Sequence, residues 1–272
     1  MAIDSSLTTR SLLKNLGIQE VLDYEGITEV AINQGEEIWF DRGNGWEFKK
    51  APECTFHNLN SLAKSLTVYS GLKTAFDDRN PIASVILPDG ERGQIITAPA
   101  TEYNTISFTM RKPSLTRFTV DDYQKSGRFD RIQEAEAYKK GSIPLYMQEM
   151  RKCQKEGCYA DFFKLAAANN MNVIAVGGTG SGKTTFAKAY ADLIPHDHRI
   201  ITIEDVHEVT LPYHKNHLHL FFDPDYQKSG GISPKELIKS AMRMKPDHIL
   251  LTELRGDETW NYFEALNTGH NG

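Results

Sequence analysis

Residues 177–184 read Gly-Gly-Thr-Gly-Ser-Gly-Lys-Thr, which fits the phosphate-binding loop pattern G-x-x-x-x-G-K-S/T. Glycines let the backbone wrap tightly and turn its N–H groups towards phosphate oxygens, and the helix that follows adds about half a positive charge there. The ammonium group of Lys183 can reach the β- and γ-phosphates, and the hydroxyl of Thr184 can hold Mg²⁺. The sequence therefore predicts a site for ATP and Mg²⁺, contacted by Gly178, Thr179, Gly180, Ser181, Gly182, Lys183, Thr184 and Thr185.

Acidic residues follow two short apolar runs further along the chain. Residues 199–203 end in Glu204 and Asp205, and residues 248–251 end in Thr252 and Glu253. Ligands bind beyond the carboxyl ends of parallel strands, so we expect both carboxylates to emerge beside the loop. Glu204 is our candidate to polarise the attacking water, and Glu253 to anchor Mg²⁺, through a metal-bound water. The two roles could be exchanged, and Asp205 could share the work.

The elements around the loop predict an α/β fold. An apolar run at residues 172–176 predicts a strand leading into the loop, and residues 184–193 predict the helix leading out. The runs 173–176 and 249–251 are continuously apolar, as in strands of a parallel sheet covered on both faces.

The chain before residue 113 has a different pattern. Helical spacing occurs at 7–24 and 58–69, and strand-like runs occur at 28–33, 37–41, 46–48, 83–87, 93–98 and 105–110. Turn residues such as Gly43-Asn44-Gly45 join neighbouring strands. We therefore predict a smaller α+β domain at 1–112 with a mostly antiparallel sheet, a linker at 113–145 with a helix near 131–140, and an α/β P-loop domain at 146–272.

The bulk composition excludes several classes of protein. The net charge of −5 gives no support to a field that attracts nucleic acid. No run approaches about 18 consecutive apolar residues, so we predict no membrane span. Three cysteines are too few and too irregular for a disulfide framework.

Four histidines lie close together, at His207, His214, His217 and His219. No cysteine or regularly spaced carboxylate completes a metal-ligand set near them. We therefore expect structural histidines.

Four segments carry a resemblance to the secretion-superfamily traffic ATPases, most of all to the hexameric ATPases of type IV secretion systems. Residues 177–185, 202–209, 243–258 and 265–272 resemble the Walker A motif, Asp box, Walker B motif and His box of that family. Residues 84–94 and 105–114 resemble the amino-terminal domain of the type IV branch. The paired CxxC of the type II secretion relatives is absent from the sequence.

The resemblance implies a RecA-like P-loop fold and an ATP-hydrolysing motor that powers protein or nucleoprotein transport or pilus assembly. It implies a homo-hexamer on the cytoplasmic face of the inner membrane, with inner-membrane secretion proteins and a secreted substrate as partners. Nucleic acid is not expected as a direct ligand. The chain ends at Gly272, inside the His box, so we expect a P-loop domain that is incomplete at its C-terminal end and hydrolyses ATP weakly alone.

Further site residues follow from motif position in this family. Arg111, then Arg92, best matches a basic residue that reaches the phosphates from the amino-terminal domain, and Arg243 and Arg255 could serve similarly. His270 could sense the γ-phosphate.

Two other functions remain open from the sequence. Thr252 stands where other P-loop proteins often place an aspartate, which keeps a nucleotide-gated scaffold with little hydrolysis as an alternative. A nucleic-acid translocating motor is a third reading, against which the acidic net charge counts.

Overall fold

The computed structural model describes residues 5–113, 119–127, 129–130, 143–178, 180–254, 256 and 258–267. In chain order the elements are α1 (Ser5–Asn15), α2 (Ile18–Leu22), β1 (Glu29–Ile32), β2 (Glu36–Asp41), β3 (Trp46–Ala51), α3 (Phe56–Tyr69), β4 (Ile82–Ile86), β5 (Arg92–Thr97), β6 (Ile106–Arg111), α4 (Val120–Lys125), α5 (Leu145–Glu156), α6 (Tyr159–Ala168), α7 (Lys183–Ala191), β7 (Ile200–Glu204), β8 (His217–Phe221), α8 (Tyr226–Ser229), α9 (Pro234–Ala241), β9 (His248–Leu251) and α10 (Glu258–Asn267). We call residues 5–113 the amino-terminal half and residues 143–267 the carboxyl-terminal half.

The amino-terminal half is built on a six-stranded antiparallel sheet, as predicted, in the order β3-β2-β1-β6-β5-β4. The β2–β3 hairpin turns where it was expected, because the side chain of Asp41 accepts the backbone N–H groups of Gly43 and Gly45. Helices α1, α2 and α3 cover one face and bury an apolar core with it. The stretch with helical spacing at 7–24 is divided into two helices, because Gly17 adopts a left-handed conformation between α1 and α2.

The carboxyl-terminal half contains a parallel sheet in the order β8-β7-β9, which confirms the predicted parallel pairing. Ile96 and Ala100 of the amino-terminal half are buried in the same apolar cluster as residues of β7, β8 and α9. The outer edge of β8 is covered, since Phe221 donates its N–H to the carbonyl of Ala100. Thr101 donates its hydroxyl to the carbonyl of His219 at 2.7 Å. The two halves therefore share buried contacts, which the position of a linker in the sequence could not indicate.

A buried arginine lies at the contact between the halves. Arg199 donates to the side-chain oxygens of Asn216 and Thr109, and its guanidinium lies 5.0 Å from the ring centre of Trp46. Burial lowers the pKa of Arg199 to about 10, which still leaves it charged at neutral pH. Asn33 donates to the same Asn216 oxygen at 2.8 Å. Polar side chains from both halves thus form hydrogen bonds across the contact.

The segment expected to be a strand before the P-loop differs from the prediction. Residues 171–178 have no helix or strand assignment, and the side chains of Ile174 and Val176 are 57% and 91% exposed. β9 pairs with β7, and within the described residues nothing forms a ladder with 172–176. A strand needs a hydrogen-bonding neighbour as well as an apolar sequence. The prediction was based on the apolar run alone.

The predicted linker contains a short helix that the sequence did not suggest. Helix α4 begins at a capping box, in which Thr119 and Asp122 bond each other's side chain and backbone. The helix predicted near 131–140 lies outside the described residues. The domain boundaries at 112 and 146 stay predictions.

Candidate nucleotide site

The loop at 177–184 has a backbone that favours glycine at two positions. Gly180 and Gly182 have φ angles of 77° and 86°, in the left-handed region that side chains disfavour. Gly182 is also the N-cap of α7, so the helix starts at the end of the loop. A Cβ on Gly177 would lie 2.5 Å from the hydroxyl of Ser181, so a side chain there would displace that hydroxyl. This backbone suits the cradle that a polyphosphate requires.

Lys183 folds back over the loop that precedes it. Its ammonium group donates to the carbonyl oxygens of Gly177 and Gly178, at 2.8 and 2.9 Å. The side chain is exposed, so phosphate oxygens can reach the ammonium group from solvent. Thr184 follows in the first turn of α7 and Thr185 is exposed beside it.

A cavity of about 580 Å³ joins the loop to the carboxyl end of β9. The residues that line it include Gly177, Gly178, Lys183 and Thr184 of the loop and helix α7, and also Glu253. Apolar residues of 173–176 and of β9 form much of the wall, which is typical of ligand pockets of this size. The chain therefore brings a lysine, a hydroxyl and a carboxylate together around one space.

Glu253 also borders a second cavity, of about 360 Å³, on its other side. Asp205, Asp225 and Glu258 line this second cavity. Glu253 thus connects the P-loop cavity to Asp205, the residue that directly follows β7. Their proximity is consistent with the carboxyl ends of neighbouring parallel strands meeting at one edge of a sheet.

Glu204 lies inside the protein and lines neither of these cavities. Its Oε1 accepts the hydroxyl of Thr202 at 2.6 Å and Nδ1 of His219 at 3.2 Å. Its Oε2 accepts the backbone N–H groups of residues 208 and 209, both at 2.9 Å. Burial alone would raise the pKa of Glu204, but these hydrogen bonds outweigh it and lower the pKa, so the carboxylate is ionised. The expectation that both acids emerge beside the loop therefore differs from the structure at Glu204.

The two arginines singled out by motif position lie on the antiparallel sheet. Arg92 of β5 and Arg111 of β6 are directly opposite each other, and Arg111 is also opposite Glu29 of β1. The guanidinium of Arg111 donates to the carboxylate of Glu29. Burial raises the pKa of Glu29 even though Arg111 opposes that shift. Neither arginine lines the P-loop cavity, and Arg243 donates to Ser84 instead.

Three predicted site residues, Thr179, Arg255 and His270, lie outside the described residues. Sequence reasoning missed Thr202 and His219 as partners of Glu204. Thr202 lies two residues before Glu204 and therefore on the same face of β7, which is a readable signal. His219 is opposite Thr202 on β8, and that pairing follows only from the strand order.

No helix in the part of the chain that the structure describes is both long enough and apolar enough to cross a membrane.

Comparison with known proteins confirms the resemblance seen in the motifs. Residues 141–272 match the family described as Type II/IV secretion system protein. The type IV secretion system protein VirB11 of Brucella abortus biovar 1 is 39% identical over 253 residues, which cover 92% of this chain and 68% of the relative. VirB11 of Bartonella henselae is 36% identical over 262 residues, covering 94% and 73%. The crystal structure of the VirB11 ATPase from the Brucella suis type IV secretion system, in complex with sulphate, matches with a TM-score of 0.89 and 37% identity over 100% of this chain and 76% of that one. The chain belongs to the VirB11 family of type IV secretion system ATPases.

Proposed function

We propose that this chain hydrolyses ATP as a motor subunit that powers protein or nucleoprotein transport, or pilus assembly, in a type IV secretion system. One observation carries the catalytic part: Lys183, Thr184 and Glu253 line a single cavity at the start of α7. The transport part is supported by relatives that are named as type IV secretion system proteins.

Different residues of the cavity would bind the phosphates and the metal ion. The amides of the loop and the ammonium group of Lys183 would hold the β- and γ-phosphates. Thr184 and Glu253 would hold Mg²⁺, Glu253 through a coordinated water. The ion, when bound, neutralises charge that builds on the phosphates during transfer. The oxygen ligands suit this cation, which keeps several waters and takes few protein ligands.

We infer that Glu253, rather than Glu204, is the acid that orients the attacking water. Glu253 faces the cavity that contains Lys183, whereas each oxygen of Glu204 already accepts two hydrogen bonds from the protein. To act as a base, Glu204 would have to give up part of this network. Glu204 holds the loop after β7 in place, and so positions Asp205 beside Glu253.

Replacing Glu204 with Gln tests this assignment through stability. The amide NH₂ group either faces the two backbone N–H groups, so that donors meet a donor, or makes Thr202 and His219 reverse their hydrogen bonds. We expect the free energy of unfolding to fall by about 1–3 kcal/mol. Urea-induced unfolding measures it, with Glu208→Gln, an exposed change, as the matched control. If the Glu204→Gln protein is as stable as the parent but has no ATP turnover, Glu204 is the base and our assignment to Glu253 is wrong.

The same variant should change the response to acid. Glu204 has a folded-state pKa below its ordinary value of 4.5, so its contribution to stability is complete above about pH 4.5 and is lost as the pH falls below it. Gln does not titrate, so the difference in stability between parent and variant should shrink below pH 4.5. A difference that is independent of pH would contradict the pKa direction.

We further propose a homo-hexamer that acts on the cytoplasmic face of the inner membrane, with secretion-complex proteins and a secreted substrate as partners. In that ring, Arg111 and Arg92 would reach the phosphates from outside the P-loop cavity, and His270 would sense the γ-phosphate. The mass of the particle in solution, with and without ATP, should correspond to six chains when nucleotide is bound. A monomeric mass under both conditions would contradict the ring.

A nucleotide-gated scaffold with little hydrolysis is the second candidate, because Thr252 directly follows β9 where other P-loop proteins often place an aspartate. The hydroxyl of Thr252 donates to the carbonyl of Ile203, at 3.4 Å, so it ties β9 to β7. Measuring both phosphate release and ATP affinity separates the two functions, since a scaffold binds ATP tightly but releases little phosphate.

A further inference from the structure

Three side chains that could ligate a metal converge at the end of the β7–β8 pair. One ligand atom from each of Glu204, His207 and His219 lies within 4.8 Å of those of the other two. None of these residues lines the P-loop cavity or its neighbour. The cluster is thus a separate place from the proposed nucleotide site.

The parallel register explains how the three meet. Glu204 and Thr202 lie on one face of β7, and Thr202 is opposite His219 on β8. After β7 the chain turns back, and the ring of His207 lies 4.4 Å from the ring of His219, between ring centres. The carboxylate that the sequence analysis did not find near the histidines is therefore that of Glu204, at the end of the adjacent strand β7.

Two of the three atoms already have the spacing of ligands on one ion. Zn²⁺ binds nitrogen and carboxylate oxygen at about 2.0–2.2 Å, so neighbouring ligands on a tetrahedral ion are about 3.3 Å apart. Nδ1 of His219 and Oε1 of Glu204 are 3.2 Å apart. Oε2 of Glu204 is held by two backbone N–H groups, which fixes the carboxylate plane. His207 is exposed and is the ligand that must close on the ion.

We propose that Glu204, His207 and His219 bind a divalent transition-metal cation of the Zn²⁺ class. Two imidazoles and one carboxylate form a common ligand set for this ion, whereas Mg²⁺ prefers oxygen ligands. On binding, Nδ1 of His219 gives up its hydrogen, which moves to Nε2 in a neutral ring or leaves to solvent from a charged one, and the ion takes its place. Glu102 of the amino-terminal half lies 3.8 Å from Nδ1 of His207 and adds negative charge at the open side. The ion would thus connect the loop after β7 to β8.

The test uses the full chain without an added histidine tag. Zn²⁺ is titrated in competition with a chromophoric chelator, and Co²⁺ is added separately to record its visible absorption. We expect one equivalent of Zn²⁺, a tetrahedral Co²⁺ spectrum, and an affinity at least about tenfold weaker in His207→Ala. His57→Ala changes an exposed histidine on α3 and should bind as the parent does.

Two further variants keep the proposal falsifiable. Lys183→Ala should leave Zn²⁺ affinity unchanged, so a failure of the nucleotide site does not affect this result. His219→Gln should abolish binding while circular dichroism remains that of the folded parent; if it unfolds, His207→Ala decides alone. Equal Zn²⁺ affinity in the parent and His207→Ala, or less than one equivalent bound by the parent, would overturn the proposal and leave a hydrogen-bonded network only.

Discussion

Lys183→Ala should lose ATP turnover on the order of 10²–10³-fold, because it removes the ammonium group that the P-loop presents to the phosphates. The lysine side chain is exposed and, among the residues that the structure describes, bonds carbonyls of its own loop, so the fold should survive. Affinity for ATP should fall as well, since the ammonium group contacts the phosphates before and during transfer. Steady-state phosphate release and binding of a fluorescent ATP analogue measure the two effects.

Lys188→Ala is the matched control for this prediction. Lys188 belongs to the same helix, α7, but does not line the P-loop cavity. It should hydrolyse ATP at the parent rate. A Lys183→Ala protein that turns over as fast as Lys188→Ala would show that the loop does not serve catalysis.

Glu253→Gln should bind ATP while losing turnover on the order of 10²–10⁴-fold, the range for a general base. The amide keeps the shape of the side chain, so the cavity between β9 and the P-loop stays intact. It can no longer accept a proton from water, and it neutralises the charge that would anchor Mg²⁺. Single-turnover hydrolysis with ATP pre-bound separates the chemical step from binding.

Glu264→Gln makes the same change at an exposed position of α10 that borders neither cavity. It should leave turnover unchanged. If Glu253→Gln turns over normally and Glu204→Gln does not, the water-orienting acid is Glu204, and the network that holds it must open during the cycle.

The phosphate-binding loop could be predicted from the sequence because its chemistry is local. Eight consecutive residues place the glycines, the lysine and the hydroxyl, and the left-handed φ angles of Gly180 and Gly182 follow from that order. The antiparallel sheet was also readable, since alternating apolar residues and short turns between strands are signals within a few residues of each other.

The acids could be assigned to strand ends from the sequence, but not to sides of the sheet. Successive side chains in a strand point in opposite directions, so a shift of one residue exchanges an interior position for a cavity. Glu204 is buried, whereas Asp205 lines the cavity that it shares with Glu253. The sequence favoured Glu204, with Asp205 as a residue that could share the work, and only the sheet shows which of the two borders the cavity.

By itself, the sequence determined that this chain carries a P-loop at the start of a helix and an antiparallel sheet before it, because both depend on contacts between near neighbours. Only the tertiary structure decided that Glu253 faces the loop, that Glu204 meets His219, and that residues 172–176 have no strand partner within the described part of the chain. Each of these depends on which strands are adjacent and in what register, and that arrangement is fixed by packing between residues far apart in sequence.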